Sequence, residues 1–147
     1  MSSTRNPFDL SLHEVYIQEP ASPAAGASAV IPTPGNTRAL LATMAFRLIT
    51  DANVADRTCI LERLKTGVNQ IIAADMNVQT ASFTGFYSAH VGGAMASKTN
   101  PLTHAFSLPN SRLFKDGDTL QINILNQQAG DQIGQILLTW HVWKWPQ

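Results

Sequence analysis

Asp51, Asp56 and Arg57 fall close together in the stretch LITDANVADRTCIL, residues 48 to 61. Two carboxylates beside a guanidinium are the parts of an acid–base site, provided a pocket drives their pKa values apart. The same residues also suit a corner between two strands. Asp and Asn side chains bond backbone amides in turns, so Asp51 and Asn53 would shape the bend while Arg57 reaches across to a carboxylate. No metal-ligand or nucleophile motif adjoins the cluster, and the corner is the simpler reading.

Other residue types capable of chemistry are scattered. Cys59 is the single cysteine, so no disulfide can form within one chain. It alternates with Leu61 in an apolar stretch and reads as a small buried hydrophobe, although a spatial histidine neighbour would make it a nucleophile. His13, His90, His104 and His141 lack the close pairing of a structural zinc site, so no metal or other cofactor is expected. Asp116-Gly-Asp118 lacks the full calcium-loop pattern and reads as a hairpin turn. The chain carries no GxSxG, no GxxxxGK[ST] and no HExxH, which leaves an enzyme without a candidate site. The expectation is therefore a non-enzymatic protein.

The C-terminal run LLTWHVWKWPQ has three indoles within six residues. Alternation puts His141, Trp143 and Trp145 on one face of a strand and Trp140, Val142 and Lys144 on the other. Three readings stay open: a stacking platform for sugars or bases, an interface anchor, or a core Trp140 with the others closing the end of the domain.

What positions these residues is a chain of strands. At 147 residues the chain suits one domain, and 44% apolar residues make it globular. Charged residues are only 14%, against roughly 25% in an ordinary soluble domain, so the surface is either rich in uncharged polar groups or partly covered by a partner. Ten basic residues balance ten acidic ones without a basic run, which argues against nucleic acid. The N-terminus MSSTRNPFDL lacks the apolar core of a signal peptide, and the longest apolar run, 39–46, is about half of the roughly 20 residues a spanning helix needs. No membrane role is expected.

Residues 1–36 read as an extended N-terminal arm or linker. Glu19–Asn36 holds four prolines and two glycines, which exclude a helix or an inner strand, while Phe8–Ile17 suits one strand. Residues 37–147 read as the domain proper. In RALLATMAFRLI the even positions Leu40, Ala42, Met44, Phe46 and Leu48 suggest a core face, with a helix as the competing reading. Strands are predicted over 57–64, 68–74, 80–87, 104–108, 119–126 and 132–145. In TLQINIL the alternation of Leu120, Ile122 and Ile124 with polar residues is the clearest, and QQAGD follows as a turn with Gly130 suited to positive φ. About eight strands with turns every 8 to 12 residues indicate an all-β antiparallel β-sandwich or barrel. Residues 90–103 form a long loop of small residues.

Three features together resemble a type found among small structural proteins of tailed bacteriophages. They are the corner Thr50-Asp-Ala-Asn-Val-Ala-Asp-Arg57 between two strands, the Gly-Asp-x-Leu element within Leu113–Leu120, and Gly130-Asp131 before a long apolar strand. They span roughly residues 38 to 145; the Pro/Ala-rich arm lies outside them. The resemblance implies a jelly-roll-like sandwich and a capsid cement (decoration) protein. Such a protein sits on the outer surface of the virion, binds the phage major capsid protein, and joins other copies of itself as a dimer or trimer. Phe8, Leu10, Leu12, Val15, Tyr16, Ile17, Trp143 and Trp145 are the interface candidates, and Asp51, Asn53, Asp56 and Arg57 the structural corner. A glycan-binding module of a fibre or spike, using Trp143, Trp145 and the 90–103 loop, and a head–tail adaptor are the alternatives.

Overall fold

The computed structural model describes residues 14–35, 37–65, 68–75, 77–91, 103–109 and 113–144. Phe8, Leu10, Leu12 and Trp145 lie outside them, as do residues 92–102 of the loop. Ten strands, and no helix among the described residues, form two sheets packed face to face. They are β1 (Glu14–Gln18), β2 (Ala29–Pro32), β3 (Thr37–Ile49), β4 (Thr58–Lys65), β5 (Val68–Ala74), β6 (Thr84–Val91), β7 (Thr103–Leu108), β8 (Leu113–Phe114), β9 (Thr119–Leu125) and β10 (Gln132–Lys144).

The first sheet has the order β1-β10-β3-β6-β7, with β8 beside one end of β3; the second has the order β2-β9-β4-β5. Eight of the strands pair as four nested antiparallel couples: β4 with β5, β3 with β6, β2 with β9 and β1 with β10. A long ribbon folded on itself and rolled gives this order, which is the jelly roll. Its core is built by inward side chains from both sheets, among them Leu41, Leu48, Leu61, Leu120, Ile122, Phe106, Phe114, Leu138 and Trp140. The Phe114 ring meets the Trp140 indole edge-to-face, with centroids 5.2 Å apart.

Several expectations need correction. The described part of the expected arm is built into the sandwich, because β1 pairs with β10 and β2 with β9. The sequence AVIP between prolines hides a short alternation in which Ala29 and Ile31 point inward, and an edge strand tolerates Pro32 because one side of it needs no donor. The β6–β7 pair is parallel rather than antiparallel. The Asp116-Gly117 turn is present, with Gly117 at φ 87, but it carries the chain from the first sheet to the second instead of closing a hairpin. Two-residue β8 is too short to pair onward with β9.

In β3 the core face is Ala39 and Leu41, then Met44, Phe46 and Leu48, so Leu40 and Ala42 are not part of it. A bulge opposite Thr139 and Trp140 inserts Ala42 and switches the inward phase. Strand β10 has a matching irregularity between Gly134 and Leu137, where Gln135 adopts φ 50. In the 126–131 turn it is Asn126, not Gly130, that takes positive φ.

A non-glycine residue at positive φ costs about 1 kcal/mol or more. Gln135→Gly should therefore leave the urea midpoint unchanged or raise it, while the β-branched Gln135→Val should lower stability by about 1–2 kcal/mol.

Candidate functional site

Arg57 lies at the end of the sandwich where β3, β4, β9 and β10 meet, and it is fully buried. A guanidinium has five N–H donors, and all five are used. Nε donates to Asp131 Oδ2 at 2.9 Å and Nη2 to Asp131 Oδ1 at 3.0 Å and Asp51 Oδ1 at 2.8 Å. Nη1 donates to the carbonyls of Asn53 at 2.9 Å and Ala55 at 2.8 Å.

The acceptors are equally well used. Asp131 also receives the backbone N–H groups of Asp51 (2.9 Å) and Gln128 (2.8 Å). Asp51 receives the backbone N–H of Asn53 at 3.0 Å, its amide at 2.8 Å, and the N–H of Gly130 at 3.2 Å. That last approach requires glycine, since a Cβ at 130 would lie 2.8 Å from the Asp51 carboxylate. Burial pushes the Asp51 carboxyl up, but the Asn53 and Gly130 hydrogen bonds and the Arg57 charge outweigh it and hold it below the usual 3.8.

Of the four corner residues, the structure thus brings together Asp51, Asn53 and Arg57. Asp56 is exposed and contributes its backbone carbonyl, which accepts from Asn126 Nδ2 at 3.0 Å. The residue that sequence reading missed is Asp131. Its distance of 74 positions from Arg57 hides the pairing, and its only signal is the Gly130-Asp131 step before a long strand.

A second buried network joins the sheets further in. Asp75 Oδ2 lies 2.7 Å from His104 Nδ1, and both side chains are fully buried. The His104 ring stacks on Tyr87 at 4.2 Å, and Tyr87 stacks on Phe46 at 4.6 Å. The Tyr87 hydroxyl donates to Gln79 Oε1 at 2.9 Å, and Gln79 Nε2 donates to the Leu48 and Phe83 carbonyls. Backbone bonds in both directions between Gln79 and Arg57 couple this network to the first. Cys59 belongs here too. Burial, aided by the Asp75 charge, pushes its thiol well above 9.0, opposite to what a nucleophile needs. Cys59, Asp75 and His104 are each 0% exposed, so no substrate can meet them in this arrangement.

The accessible chemistry is on the outer face of the first sheet. Alternation brings Val15 and Ile17 of β1, Leu137, Thr139, His141 and Trp143 of β10, and Thr43, Ala45, Arg47 and Ile49 of β3 to that face. Phe86, Ser88 and His90 of β6 continue it, followed by Thr103, Ala105 and Ser107 of β7. The outward strand residues of this face include Arg38 and Arg47 and, among the described residues, no carboxylate, while the exposed Glu14 and Glu19 lie in and just after edge strand β1.

Small Ala45 leaves a shallow concavity of about 240 Å³, bounded by Arg47, Phe86, Ser88, Thr103 and Gln135. The β10 irregularity lies beside it, and Gly134 gives the Arg47 guanidinium room to lie across the strand. Arg47 Nε is buried with no hydrogen-bond partner among the described residues. Phe86 is 52% exposed. Val15, Tyr16 and Ile17 are exposed on the edge strand, Trp143 is half-buried, and Trp140 is wholly in the core.

No protein-family model, curated protein or solved structure matches the chain.

Removing one partner of a buried, saturated ion pair leaves the other charge uncompensated. Arg57→Ala should cost about 3–5 kcal/mol in urea unfolding. A carboxyl that ionises more readily when folded stabilises the fold above its unfolded pKa, and that contribution is lost as pH falls through the lower folded value. Acid unfolding should therefore steepen below about pH 4, near the ordinary carboxylate value of 3.8. Asp51→Asn should flatten part of that slope in a pH series followed by circular dichroism.

Proposed function

We propose that this chain is a structural assembly subunit that docks on a larger protein surface through the outer face of its first sheet. The resemblance to tailed-phage structural proteins supports reading that surface as the outside of a capsid shell and the chain as a cement protein. The single observation that carries the reading is a broad, partly apolar face whose described outward strand residues include no carboxylate, with Arg47 and Phe86 beside its concavity.

A half-buried guanidinium whose Nε has no hydrogen-bond partner among the described residues is a poor arrangement in isolation, but it suits an interface that supplies a carboxylate. Arg and aromatic side chains are the common anchors of protein interfaces, and a rim of Thr, Ser and Ala permits close approach. The low charge of the whole chain fits as well, since a subunit packed many times over a shell avoids self-repulsion. The two buried networks supply rigidity rather than reactivity. Weak contacts by single copies then add up through avidity.

Binding to purified shells stripped of the chain tests this by co-sedimentation. Arg47→Glu should weaken attachment by about thirtyfold or more, the scale of an interface hot spot, without changing the free energy of urea unfolding by more than about 1 kcal/mol. Phe86→Ser should act in the same direction. Glu62→Lys on the outer face of the second sheet should leave attachment unchanged. Unimpaired binding by Arg47→Glu and Phe86→Ser together would remove this face from the interface. Binding of neither native nor variant chain to any shell would remove the cement role.

A further inference from the structure

We propose that two copies of this chain join edge to edge through β1, about a two-fold axis at Tyr16 that runs normal to the first sheet. This builds on the docking face described above but concerns a different contact. Besides two-residue β8, four edge strands terminate the two sheets, and three of them are protected. Strand β2 carries Pro32, and β5 and β7 lie against one another where the sheets approach. Natural sheets blunt free edges with proline, lysine or bulges. Strand β1, EVYIQ, has none of these, and its pairing with β10 is regular throughout. It presents Val15 at 60%, Tyr16 at 45% and Ile17 at 63% exposure.

The occupant follows from the sequence of the strand. Antiparallel pairing of β1 with a second β1 about Tyr16 places Val15 opposite Ile17, Tyr16 opposite Tyr16, and Glu14 opposite Gln18. Apolar residues meet apolar residues, and no like charges face one another. This is the register that pairs all five residues. Shifting it by one residue places Glu14 opposite Ile17 and turns the outer face of one copy against the inner side of the other.

An axis normal to the sheet leaves both outer faces pointing the same way. The dimer therefore presents two copies of the Arg47–Phe86 concavity to one surface, which is the bivalent geometry that avidity needs.

Cross-linking in solution tests both the contact and its register, with the full-length chain and no shell present. Cys59 is fully buried and gives little background. Opposed residues in an antiparallel pair have Cα atoms about 4.5–5.5 Å apart, within disulfide range, so Tyr16→Cys should form a disulfide dimer under a mild oxidant. Val15→Cys alone should not, because its two copies lie about 8 Å apart by strand geometry. An equimolar mixture of Val15→Cys and Ile17→Cys should cross-link as a heterodimer.

The native chain should sediment as a dimer at about 100 μM, as a small interface allows, and Ile17→Lys should weaken that association about tenfold or more while circular dichroism stays unchanged. A native monomer at that concentration, whether because β1 is covered by the chain's own N-terminal residues or because it stays single, overturns the proposal. A trimer, or cross-linking of Val15→Cys with itself in place of Tyr16→Cys, does so too. Neither result bears on shell attachment, and failed attachment does not bear on the dimer.

Discussion

The buried guanidinium of Arg57 is the constraint on which the rest of the molecule depends. Removing such a group from water costs several kcal/mol, and only complete hydrogen bonding offsets it. Here each of its five donors and each acceptor position of Asp131 is occupied. The partners come from the β3–β4 corner and the β9–β10 turn, and the Gln79 bridge brings in the β5–β6 connection. One side chain thus fixes three crossings between strands at one end of the jelly roll. Three charges side by side in sequence look like a reactive site. In the fold two of them, Asp51 and Arg57, join the distant Asp131 in a tie with no valence left for a ligand.

Rigidity passes from that tie to the outer face through the Gln79, Tyr87 and His104 network. Tyr87 and Phe46 both border the concavity as well as stacking in the core. A docking surface on a well-packed sheet needs little ordering on binding, which lowers the entropic cost of attachment. The β10 bulge at Gln135 is the local departure from regular structure beside that surface, and bulges re-aim side chains at such places. Polar groups that would be reactive when exposed are thus confined to the interior, and the proposed binding face offers Arg, Phe and small uncharged residues.

Much of the architecture was legible from period-two alternation. TLQINIL and the long C-terminal run became β9 and β10 almost as read, because each has one buried face. AVIP was overlooked because four residues between prolines give too short a pattern, and Leu113–Phe114 because a two-residue strand has no pattern at all. The phase of β3 was misassigned because a bulge depends on the neighbouring strand, not on local composition. At the corner, Asp51, Asn53 and Arg57 are local and could be read together. Asp131, and likewise the Asp75–His104 pair, are joined only by the topology. The docking face was illegible for the same reason: it combines alternate residues from five strands, none of which is unusual in its own sequence.

On the reading proposed above, this chain is an assembled subunit whose first sheet faces its partner. Electron cryomicroscopy of purified virions containing the chain measures this directly. Many copies are expected on the outside of the shell, with the outer face of the β1-β10-β3-β6-β7 sheet against the capsid and Arg47 beside a carboxylate. Copies confined to the tail or to one vertex, or a first sheet turned to solvent with the second sheet on the shell, would contradict it.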